Sequence, residues 1–159
     1  MTAQIPDSLW YEGTKNPLCD FPFTDYFDLG GTRPEFAAPS SALWRGYVGT
    51  REIRDDRLYL IELTGRQKSG HRVTLATLFP DFSERVFAHW SSRTLRVPQG
   101  GHVKYVHSGF ASVYERDLFL EIDKGIGRRT WTRENGKAQD GAERQGYQIT
   151  ALTTFGQPR

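Results

Sequence analysis

KYVHSGFASVYERDLFLEIDKGIGRRTWTR, residues 104–133, is the stretch on which the fold turns. Residues 117–123 alternate as a half-buried strand should: Leu118, Leu120 and Ile122 fall on one side, Phe119, Glu121 and Asp123 on the other. Lys124-Gly125 supplies a tight turn, and residues 126–133 return as an antiparallel partner. Glu121 or Asp123 opposite Arg128 or Arg129 adds a cross-strand charge pair worth about 0.2–1 kcal/mol. On the N-terminal side, residues 103–107 form another strand, broken at Ser108-Gly109, with residues 111–114 extending the pairing.

The same pattern continues upstream. Residues 44–53 and 57–63 are strand-like, and Arg54-Asp55-Asp56 between them has turn chemistry, which predicts a hairpin. In its second arm Leu58, Leu60 and Glu62 share one face, and Tyr59, Ile61 and Leu63 the other. Both faces are largely apolar, so the strand is expected at the centre of the sheet, covered on both sides. Gly46 and Gly49 in the first arm signal a bend or a close backbone approach. Thr74 is placed to cap one helical turn through Leu75, Leu78 and Phe79, which Pro80 ends. Phe82, Val86 and Trp90 are spaced for a helix face, yet Val86-Phe87 also begins a strand. The preferred arrangement pairs that strand across Ser91-Ser92 with residues 94–97, followed by a turn at Pro98-Gln99-Gly100-Gly101. Residues 134–146 are a polar loop, and 147–155 a final strand. The expected fold is mainly β: antiparallel sheets built of hairpins, as a sandwich or open barrel, with at most one or two short helices. Residues 1–159 are expected to form one domain with its β core at 43–133.

Residues 1–42 are expected to be an irregular wrap. Residues 9–11 could form a short strand ended by Gly13 and Asn16-Pro17, after which Phe21, Phe23, Tyr26 and Phe27 crowd a segment broken by Pro22. Such rings either bury on the body of the protein or grip a partner. Burial is preferred, because large exposed apolar patches are rare on soluble monomers. Net charge is +2, divided as −4 over residues 1–43 and +6 over the remainder. The acidic segment is therefore expected to lie across a basic sheet, with an anionic partner as the alternative. Cys19 is the single cysteine, so no internal disulfide can form. The polar opening and the lack of a long apolar run lead to the expectation of a soluble cytoplasmic protein without membrane partners.

Chemical motifs are sparse. His102 and His107 fall on opposite faces of a strand, His71 and His89 lie in other segments, and neither a metal nor a cofactor is expected. Phosphate-loop and nucleophile-elbow patterns are missing from the sequence. Tyr105 and His107 share a strand face and Glu115 follows nearby, a set able to shuttle a proton if it lined a pocket. A satisfied hydrogen-bond network is the plainer account of the three. Arg45 and Arg96 are candidate forks for a carboxylate or phosphate. Arg129, Trp131 and Arg133 share a face that could stack a base and hold phosphates. The alternative preferred for these arginines is pairing with Glu115, Glu121 and Asp123, with Trp131 beneath their stems.

Trp44-Arg45-Gly46-Tyr47-Val48, Leu58-Tyr59-Leu60, Leu78-Phe79-Pro80, Leu95-Arg96-Val97-Pro98-Gln99-Gly100, Tyr105-Val106-His107-x-Gly109 and Tyr114-Glu115-x-Asp117-Leu118 together resemble an uncharacterised family of small bacterial proteins, over roughly residues 9–125. The resemblance implies a bacterial cytosolic setting and no particular activity. Without a catalytic signature, the leading expectation is a non-enzymatic protein-interaction module, possible roles including an inhibitor or immunity-type protein, with another protein as partner. A small enzyme or anionic-ligand-binding protein using the Tyr105, His107 and Glu115 cluster comes second, and a weak nucleic-acid binder using residues 128–133 third.

Overall fold

The computed structural model describes residues 4–20, 23–43, 45–82, 84–104 and 112–137. They form a mixed, mostly antiparallel sheet with two short helices. The strands are β1 (Asp7–Tyr11), β2 (Thr14–Leu18), β3 (Tyr47–Arg54), β4 (Arg57–Arg66), β5 (Arg72–Val73), β6 (Val86–Phe87), β7 (Arg93–Lys104), β8 (Val113–Asp123) and β9 (Ile126–Glu134). The helices are α1 (Thr24–Asp28) and α2 (Leu75–Leu78). The main path runs β2-β1-β3-β4-β9-β8-β7, with β5 and β6 attached to β4. Its ends are linked by a hydrogen bond from Cys19 N–H to the Arg96 carbonyl, 2.9 Å, but no ladder among the described residues closes the sheet. The architecture is thus the open-barrel alternative rather than two separate sheets.

Two turns set the frame. Asp55 and Asp56 have φ of 52° and 59°, and Lys124 and Gly125 have 48° and 83°. Successive positive φ values match the right-handed twist of the flanking strands, which is why short polar residues and glycine stand there. The turns also abut: Gly127 N–H donates to the Asp56 carbonyl at 2.7 Å, and Leu58 N–H to that of Gly125 at 2.8 Å. A Cβ on Gly125 would lie 2.8 Å from the Ala88 carbonyl oxygen, so glycine is required by contact as well as by φ.

Leu118, Leu120 and Ile122 are buried, as their alternation predicts, and join Leu9, Leu18, Phe23, Tyr47, Leu58, Leu60, Leu95 and Val97 in one core. The aromatic wrap also behaves as expected. Phe23 is fully buried, stacked on Tyr26 at 5.1 Å and edge-on to Tyr47 and Trp90. Thr74 caps α2 through a reciprocal box with Thr77.

Five local expectations need correction. Residues 1–42 are not wholly irregular, because β1 and β2 form a hairpin and β1 runs parallel to β3, pairing Ser8 with Thr50. Pro17 does not end that segment but sits inside β2, an end strand of the path, where proline is tolerated. Phase along β4 changes at a bulge. Thr50 pairs with Glu62 but Arg51 with Leu60, so Leu63 joins Leu58 and Leu60 in the core while Glu62 turns outward. Residues 86–87 are a strand, but their partner is β4 at Tyr59 and Leu60, not residues 94–97. Residues 98–101 do not reverse the chain: β7 continues through them across a bulge in which Gly100 takes φ of 81°. The expected final strand at 147–155 and most of the 134–146 loop lie outside the described residues.

Candidate functional site

Three groups of charged side chains stand out among the described residues, and their surroundings differ more than their chemistry. The first is buried. Asp7 on β1 accepts from Arg45 Nη2 at 2.6 Å, Arg51 Nη1 at 2.7 Å and Gly49 N–H at 2.9 Å. All three side chains are at most 2% exposed. Gly49 makes this possible, since a Cβ there would sit 2.6 Å from Arg51 Nη1. Arg45, a candidate fork for an anion, is therefore held in this buried network. Burial, then the nearby Asp7 charge, pushes the Tyr47 hydroxyl above its ordinary pKa.

The second group lies at the seam between β2 and β7. Asp117 is buried and accepts from Arg96 Nε (2.8 Å), Arg133 Nη2 (2.8 Å) and Asn135 Nδ2 (2.9 Å). Desolvation raises the Asp117 pKa, but these hydrogen bonds outweigh it and hold the carboxyl below its usual value. Arg96 also donates to the Ser112 carbonyl at 2.9 Å. Beside it, burial pushes the Cys19 thiol up to about 12, leaving a neutral thiol rather than a nucleophile at neutral pH. Arg93 reaches Asp20 at 2.6 Å and Asp25 at 3.1 Å. The acidic N-terminal segment thus neutralises arginines on β3 and β7.

The third group faces outward on β8 and β9. Trp131 is 38% exposed and stacks on Phe119 with centroids 5.5 Å apart. The Arg129 guanidinium lies 4.6 Å from the Trp131 ring centre, and that of Arg133 5.2 Å from Phe119. Arg129 meets Glu121 at 3.4 Å and Arg128 meets Asp123 at 3.5 Å. Arg133 pairs with Asp117 rather than Glu115. The plate is a carboxylate-matched aromatic–cation ladder, with Trp131 half-sheltered beside an arginine stem.

β9 carries a further property. Ile126 pairs with Arg57 of β4 and Gly127 N–H reaches the Asp56 carbonyl. From Arg128 onward β8 is the only strand paired with β9 among the described residues, and the Tyr11 side chain hydrogen-bonds that of Thr130 across the gap. Every residue from Arg128 through Glu134 is exposed. Where β9 leaves the path of β4, it opens a recess of about 250 Å³ lined by Tyr11, Ile53, Leu120, Arg128 and Thr130 among others.

Of the residues singled out by sequence, Arg129, Trp131 and Arg133 are brought together, whereas Arg45 and Arg96 occupy separate networks. Tyr105 and His107 lie outside the described residues. Glu115 is within them and accepts from Gly101 N–H at 2.9 Å, satisfying the β7 bulge. His102 is buried against Tyr114, ring centres 4.4 Å apart. Sequence reasoning missed Asp7 and Arg51, for which Gly49 was the available signal. Among the described residues no helix is long and apolar enough to cross a membrane. No protein-family model, curated protein or solved structure matches the chain.

Proposed function

We propose that the chain is a non-enzymatic protein-interaction module whose binding surface is the outer face and open edge of β9. The observation that carries this is an exposed, stacked Trp131 on a strand whose far edge, from Arg128 to Glu134, is paired with no other strand among the described residues. Trp and Arg dominate binding hot spots because they contribute large, amphipathic contacts. A free edge offers backbone donors and acceptors to an extended segment of another chain, which adds as a further strand. Trp131, already packed on Phe119 and Arg129, would lose little side-chain freedom on binding. The matched carboxylates Glu121 and Asp123 disfavour a nucleic acid, since phosphate binding depends on unneutralised cations. A bacterial cytosol is the setting in which we place the partner, an inhibitory or immunity-type role being one form of such binding.

The test is recovery from a native extract with the full chain and its Trp131→Ala variant as baits. Both must give the same circular dichroism and thermal midpoint. A protein retained by the parent and lost with Trp131→Ala supports the surface. Recovery of no specific partner, or equal recovery by both baits, rejects it.

A further inference from the structure

A second site lies at the other end of β4 from its contact with β9, where the segment at residues 36–43 passes over β3 and β4. The two enclose a cleft of about 570 Å³, lined by Ala37, Pro39, Leu43, Val48, Thr64 and the backbone of Gly46 and Gly65, with Arg66 and Arg72 also in its wall. Both glycines lie in its lining where the backbones approach closely. A Cβ on Gly46 would lie 2.5 Å from the Phe36 Cβ, and one on Gly65 2.9 Å from the Gly46 carbonyl oxygen. The segment is held down by Ala37 N–H donating to the Arg66 carbonyl, 2.8 Å, and by the bridge between Phe36 and Gln67. The size lies within the range of small-molecule sites, and the lining is largely apolar apart from Thr64 and the two arginines.

The arginines give the cleft its polarity. Arg66 on β4 stands directly opposite Arg72 on β5. Among the described residues neither guanidinium has a carboxylate partner, unlike the matched cations of β8 and β9. Arg66 Nη1 donates to the Gly70 carbonyl at 2.8 Å, which fixes its position beside the cleft. Like charges directly opposite on a ladder are unfavourable, and an anion between them removes that cost. Guanidinium forks suit a carboxylate, while the apolar lining suits a hydrocarbon body.

We infer that this cleft binds an amphipathic carboxylate, its apolar chain against Val48, Leu43 and Pro39 and its head between Arg66 and Arg72. The site is independent of the β9 surface, so either can fail without the other. The probe is decanoate, titrated calorimetrically below its micellar concentration into the full chain, with decanol and inorganic phosphate in parallel. Saturable binding at one site per chain is expected, weakened about tenfold or more in Arg66→Gln/Arg72→Gln, since a charge-assisted hydrogen bond contributes on that order. A second variant, Val48→Phe, fills the cleft without touching either charge and is expected to abolish binding while leaving the circular dichroism unchanged. Absence of saturable decanoate binding overturns the inference. So does equal affinity for decanol, equal affinity for phosphate alone, or undiminished binding by either variant.

Discussion

Asp7 with Arg45 and Arg51, and Glu121 with Arg129, are made of the same chemical groups, yet they do different work. In the first, three side chains no more than 2% exposed are locked together beneath the sheet. In the second, Arg129 is 68% exposed and its contact to Glu121 is 3.4 Å. Solvent screens the outer pair and offers each group an alternative partner, so such pairs contribute about 0–1 kcal/mol. The inner groups have no such alternative. Their value is conditional: breaking one partner strands a buried charge, although a well-packed apolar set could replace all three without loss. The buried cluster therefore fixes how β1 sits against β3, while the exposed ladder leaves its arginines and Trp131 in contact with water.

Removal of Asp7 should give the largest effect. Asp7→Ala leaves two guanidiniums and the Gly49 amide without their shared acceptor, and a loss of about 3–5 kcal/mol is expected from chemical denaturation. A loss below about 1 kcal/mol would place Asp7 with the surface pairs and erase the contrast. The seam network comes next. Asp117→Asn removes the charge that Arg96, Arg133 and Asn135 converge on, for an expected cost of about 1.5–3 kcal/mol. Because the Asp117 pKa is depressed in the folded state, its contribution is fully present above the unfolded carboxyl value and is lost as pH falls through the folded one. Stability measured from neutral pH downward should consequently fall less steeply in Asp117→Asn than in the parent. An unchanged acid slope would show that Asp117 does not supply it.

Gly49→Ala tests the space rather than the charge. Its methyl would meet Arg51 Nη1 at 2.6 Å, and that guanidinium cannot swing away without releasing Asp7. The expected loss is about 1–2 kcal/mol, toward the low end for over-packing because the displaced atom ends a flexible side chain. Gly49 also shows how far the sequence could be read. The turns at Asp55-Asp56 and Lys124-Gly125, and the alternation of Leu118, Leu120 and Ile122, follow from adjacent residues and were legible. Gly49 announced a close approach but not its occupant, because Asp7 lies 42 residues away along the chain. The parallel pairing of β1 with β3 was hidden for the same reason. Gly100 and Gly101 were read as a reversal when they build a bulge, since local turn chemistry does not reveal that Glu115 waits to accept the Gly101 amide. On the outer face, Arg129, Trp131 and Arg133 could be grouped correctly because alternation along one strand suffices. That no second described strand pairs with theirs beyond Ile126 depends on where β4 ends its contact, which no local pattern states.

The smallest expected effect sharpens the comparison from the other side. Glu121→Gln removes the carboxylate facing Arg129 but leaves the Arg129–Trp131 stack and the β8–β9 ladder in place. Stability should change by less than about 1 kcal/mol, and any change should shrink as salt rises, because both groups are in contact with water. Arg129→Gln should behave alike, and the double variant should equal the sum of the two within a few tenths of a kcal/mol. A coupling above about 1 kcal/mol, unaltered by salt, would mean that the outer pair is held as the inner one is. The β9 face would then be a structural brace, with much less of its surface free for another chain.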